Sequence, residues 1–108
     1  MPTNYNVLGQ ANGTTAVTNV YTVPAATQAV ISTIVIANRS TSNTNYRIAV
    51  QPVGAALSNQ HYIAYDSVVA GNDSIALTLG MTLGNTDVLS VNASSNVLSF
   101  SVFGSEVT

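Results

Sequence analysis

Apolar residues recur at every second position along most of this chain. That period puts one set of side chains on each face of a strand and fits no helix. Tyr46, Ile48 and Val50 alternate with Asn45, Arg47, Ala49 and Gln51. Ile75, Leu77, Leu79, Met81 and Leu83 alternate with Ala76, Thr78, Gly80 and Thr82. Leu98, Phe100 and Val102 continue the pattern less cleanly, because Phe103 falls on the polar parity. Val30 to Ala37 is apolar on both parities apart from Ser32 and Thr33. Such a run predicts a central strand covered on both sides, with a neighbouring subunit as one source of cover.

Turn residues separate the runs. Asn12-Gly13, Pro24, Ser40 to Asn43, Pro52 to Asn59, Gly71-Asn72-Asp73, Gly84-Asn85 and Ser94-Ser95 read as breaks. Eight strands follow, roughly 4–9, 16–23, 29–38, 44–52, 60–69, 74–83, 86–93 and 97–103. Val53 to Leu57 has room for one helical turn. The expectation is one all-β domain over residues 1–108, an antiparallel sandwich of seven to eight strands. Eight strands fit a jelly roll. Seven fit an immunoglobulin-like sandwich, with residues 1–10 as an N-terminal arm or an edge strand.

Charge narrows the function classes. Only 6% of the residues are charged, against about 25% in an ordinary soluble domain. The polar half is Ser, Thr, Asn and Gln, a surface that hydrogen-bonds but repels its own copies weakly. It therefore suits burial against other protein. Two arginines and no lysine cannot neutralise many phosphates, so nucleic acid is not an expected partner. No apolar stretch approaches the roughly 20 residues of a membrane span, and Met1 to Asn6 has no leader-like pattern. There is no cysteine, hence no disulfide or thiolate metal site.

Candidate chemistry is sparse. His61 is the one histidine. Strand alternation sets His61, Ile63 and Tyr65 on one face and Tyr62, Ala64 and Asp66 on the other, so the nearest acid turns away from the imidazole. Packing, hydrogen bonding or subunit contact is the role expected for His61. Asp73 and Asp87 sit in turn contexts and read as turn residues that bond their own backbone. No acid spacing makes a calcium loop, and no glycine loop cradles phosphate. No catalytic residue, cofactor or metal is expected. Tyr46 falls on a core parity, whereas one of Tyr62 and Tyr65 is left for the surface. Arg39, Arg47, His61 and Tyr62 are the candidates for an interface with other subunits, each arginine as partner to an acid on another copy.

The run Tyr21-Thr22-Val23-Pro24-Ala25-Ala26-Thr27-Gln28-Ala29-Val30-Ile31-Ser32-Thr33-Ile34, leading to Ala37-Asn38-Arg39-Ser40, resembles a segment of small structural proteins of tailed bacteriophages. Tyr46 to Gly54 and His61 to Asp66 are similar to the same proteins, especially those of cyanophages and marine phages. The resemblance spans about Tyr21 to Glu106 and carries no catalytic residues. It implies a non-enzymatic virion β-sandwich, most nearly a capsid cement (decoration) protein. Such a protein sits as a homotrimer on the outer head, bridges neighbouring major capsid protein subunits and is assembled in the host cytoplasm. The alternative it implies is a tail or fibre module that binds a host receptor or glycan.

Overall fold

A computed structural model of the chain describes residues 3–108. Met1 and Pro2 of the expected arm, and the side chains of Thr3, Asn4, Tyr5 and Leu79, lie outside the described residues. Eight strands are present: β1 (Thr3–Gly13), β2 (Thr18–Thr22), β3 (Gln28–Asn38), β4 (Thr44–Gln51), β5 (Tyr62–Val69), β6 (Ser74–Leu83), β7 (Val88–Ala93) and β8 (Leu98–Val107). They form two four-stranded antiparallel sheets, ordered β1-β8-β3-β6 and β2-β7-β4-β5.

Pairing is nested. β4 pairs with β5, β3 with β6, β2 with β7 and β1 with β8. The chain is thus one long hairpin rolled up, with β3 against β8 and β4 against β7 completing the sheets. That is jelly-roll winding, and it resolves the choice against an immunoglobulin-like order. Residues 3–10 belong to an edge strand hydrogen-bonded to β8.

Alternation does what the sequence implies in the central strands. Ile31, Ile34, Ile36, Ile48, Leu89, Leu98, Phe100 and Val102 are fully buried between the layers. Tyr46 joins them, its ring edge-on to Phe100 with centroids 6.4 Å apart. Burying each such side chain contributes about 1.5–3 kcal/mol. The second side of β3 is not covered from within the described chain. Val30, Ser32 and Val35 face outward, and no part of the described chain seals them.

Asn12-Gly13 does not turn. β1 runs through both residues, which pair with Ser99 and Leu98. A Cβ on Gly13 would lie 2.8 Å from the Phe100 ring, so glycine here makes room for an aromatic side chain rather than for a bend. The turn readings of the two aspartates hold. The Asp73 carboxylate accepts from the Ser74 N–H at 2.8 Å. The Asp87 carboxylate accepts from the Gly84 N–H at 2.8 Å and from the Val53 N–H at 2.9 Å. Asp87 thereby fastens the β4–β5 connection, with its short helical turns Pro52–Gly54 and Asn59–His61, near β7.

Candidate functional site

The distinctive chemistry lies on the outer face of β4 and β5, and it arises from two irregularities in their pairing. Tyr46 is opposite Ser67 and Ile48 is opposite Ala64, so Arg47 alone faces two residues, Tyr65 and Asp66. Asp66 absorbs the extra length with φ of 54°, a conformation open to few residues other than Gly, Asn and Asp. One step on, Ala49 is opposite Tyr62, which leaves Ile63 as a second inserted residue. Each insertion resets the two-residue alternation.

The resets change which side chains meet. Tyr62 and Tyr65 were expected on opposite faces. They form an edge-to-face pair instead, with centroids 5.0 Å apart and planes at 84°. Ala64 points toward the core, and Asp66 joins Tyr65 on the outside. The Arg47 guanidinium lies 3.9 Å from the centre of the Tyr65 ring. It also grips Asp66 with both arms, Nε donating to Oδ1 at 2.7 Å and Nη2 to Oδ2 at 3.2 Å. The hydrogen bond from Arg47 holds the Asp66 carboxyl below its usual range, and the same bond raises Arg47 further. Both side chains are largely solvated, so the pair contributes little to stability. Its geometry is nonetheless defined, because a stacked guanidinium and a two-point carboxylate contact both favour one orientation.

Two clefts flank this cluster. A cleft of about 240 Å³ is lined by Thr15, Asn45, Tyr46, Arg47, Asp66, Asn92, Ala93 and Ser94. A shallower one of about 420 Å³ is bordered by Asn59, Tyr62 and Tyr65. Tyr65 is 57% exposed.

The other candidates fall elsewhere. His61 precedes β5 and lies outside its alternation, so it does not share a strand face with Ile63 and Tyr65. Its Nδ1 accepts the Ser58 N–H at 3.1 Å, a local cap on the Asn59–His61 turn. No carboxylate pairs with it among the described residues, and no group of three His, Cys, Asp or Glu is placed to hold a metal ion there. Arg39 sits after β3 at one end of the sandwich. Its Nη2 donates to the Asn12 side chain and to the Asn96 carbonyl at 3.0 Å. Arg39 therefore ties the β3–β4 and β7–β8 loops to the end of β1 within its own chain, and Arg47 has its acid within its own chain too. The structure brings Arg47 and Tyr62 together through Tyr65, and leaves Arg39 and His61 apart from them.

Tyr65 and Asp66 are the site residues that the sequence reading missed as a unit. No signal in the run Tyr62 to Val68 marks the unit, and in the structure Ile63, Tyr65 and Val68 are all exposed. No protein-family model matches this chain, and no curated protein matches it either.

Proposed function

We propose that this chain is a non-enzymatic structural protein of a tailed-phage virion: a cement protein that binds the outer head, bridges neighbouring major capsid protein subunits and works as a homotrimer. The observation that carries the reading is the outer face of the β1-β8-β3-β6 sheet. Its rows run Gln10–Ser101–Val35–Ala76 and Asn12–Ser99–Ala37–Ser74, four strands wide and without a charged side chain. Short side chains on a sheet make a low-relief surface. Removing the rows from water buries no charged side chain of their own, and the one charge at their margin, Arg39, is already bonded to Asn12 and Asn96. Such a face suits repeated contact with a shell, where many copies make modest contacts additive through avidity. The resemblance of Tyr21 to Ile34 and of Tyr46 to Gly54 to phage virion proteins points the same way.

The test is to add the purified chain to heads stripped of accessory proteins and to cross-link. Cross-links to the major capsid protein and a higher disruption temperature for the heads are expected. Val35→Lys, which sets a charge in the middle of the face, should lower occupancy at least tenfold while the chain stays folded. Cross-links confined to tail proteins overturn the reading in favour of a tail or fibre module. Light scattering should give three times the 11.1 kDa chain mass. A monomer at micromolar concentration overturns the trimer.

A further inference from the structure

We propose that the Tyr62–Tyr65–Arg47–Asp66 cluster is a binding site for a neutral pyranose sugar. The inference holds for a head or a tail location, and so does not depend on the cement reading. A pyranose has two kinds of surface: C–H faces that pack on aromatic rings, and a rim of hydroxyls that both donate and accept hydrogen bonds. The cluster offers both kinds within one strand pair. Two tyrosine rings, 5.0 Å apart and at 84°, make a corner; one face of Tyr65 carries the Arg47 guanidinium at 3.9 Å, and the residue is still more than half exposed. Beside it the Asp66 oxygens keep free lone pairs, since each accepts a single bond from Arg47. The guanidinium retains N–H groups that Asp66 does not use. No described residue takes up the side-chain amides of Asn45 and Asn92 in the adjoining cleft.

Electrostatics sets the class of ligand. Arg47 and Asp66 cancel, so the site has no surplus positive charge for a phosphate, a nucleotide or a uronate. It has fixed donors and acceptors side by side, the arrangement that pairs of neighbouring hydroxyls match. The distribution of residues across the molecule strengthens the case. Two of the chain's six charged residues and two of its five tyrosines are gathered here, and the ion pair is too exposed to be explained by stability. The bulges add a second argument. A regular β5 would turn Tyr62 and Tyr65 to opposite faces, and holding Asp66 at φ of 54° carries a conformational cost that a plain edge strand would avoid.

The test is a titration of the isotope-labelled full chain with maltohexaose, cellohexaose, laminarihexaose and chitohexaose, with trigalacturonate as the acidic probe. At least one neutral oligosaccharide should shift the ring resonances of Tyr62 and Tyr65 and the Arg47 Nε–H, with one-site saturation. Tyr65→Ala should weaken that binding about tenfold, the equivalent of one aromatic contact. Tyr65→Phe keeps the ring and should retain most of the affinity. Amide-shift dispersion away from β5 reports whether either variant is folded, and the wild-type titration stands without them. Binding should fade as acid protonates Asp66. Absence of shifts with all four neutral sugars overturns the proposal. So do shifts confined to other surfaces, or a response to trigalacturonate alone.

Discussion

Where β1 runs beside β2, backbone meets backbone; where β5 and β6 end the same two sheets, the strands scarcely touch. On the first flank, a Cβ on Gly9 would lie 2.1 Å from the Val20 carbonyl oxygen, so the two layers close to a distance only glycine allows. Tyr21 of β2 then reaches across to β8, its hydroxyl donating to Glu106 at 2.5 Å. On the second flank, β5 keeps an unpaired edge with Ile63, Tyr65 and Val68 exposed. Two inserted residues bend that edge, which makes it a poor template for strand addition by another copy. One flank is closed by contact within the chain, and the other stays open. The Tyr62–Tyr65 corner sits on the open side, where β5 takes its two insertions against a single neighbour, β4.

The contrast can be broken most severely at Gly9. Gly9→Ala must push β1 away from β2, and should lower unfolding free energy by about 3 kcal/mol, read from denaturant midpoints. The open flank has its own tether, and it ranks next. Asn38 is buried and donates to the Ser42 carbonyl at 2.8 Å and the Val69 carbonyl at 3.0 Å, while its Oδ1 accepts from the Ser40 N–H at 3.0 Å. It joins the end of β3 to the end of β5, one sheet to the other. Asn38→Ala leaves these groups without partners and should cost about 2–3 kcal/mol, with hydrogen exchange rising first at residues 39–43 and 69–72.

The smallest of the three effects sharpens the comparison through pH. Burial, and then the hydrogen bond to Glu106, push the Tyr21 hydroxyl well above its usual range. A raised folded value means the bond's contribution is complete below about pH 10, where an unfolded tyrosine ionises, and is lost as pH climbs toward the folded value. Tyr21→Phe should cost about 1–2 kcal/mol at neutral pH and should flatten the alkaline loss of stability. An unchanged alkaline limb would show that the closed flank owes nothing to this bond.

The strands that were easiest to read are those whose pairing is regular on the buried side. Ile34, Ile36, Ile48, Phe100 and Val102 lie inward as alternation requires, and all eight strands occur near their expected places, although β1 runs through Asn12-Gly13 and β8 runs on to Val107. What escaped the sequence depends on partners remote in the chain. Gly13 resembles a turn residue until Phe100 is beside it. Tyr21 and Glu106 stand 85 residues apart. The Tyr62–Tyr65 corner was hidden because alternation assumes one residue opposite one, and β5 twice places an extra residue against β4. Nothing in the run Tyr62 to Asp66 announces those insertions, since they are fixed by register against a second strand.

The nested winding also dictates the order in which the molecule can be put together. The β4–β5 pair closes only the segment 52–61, whereas β1 and β8 must find each other across nearly the entire sequence. Chain entropy penalises the longer closure more, and a sandwich dominated by remote pairings matures in milliseconds to seconds rather than microseconds. Loop-closure entropy alone predicts assembly from the innermost hairpin outward, with the strand that bears Tyr65 and Asp66 paired early and the outermost pair last.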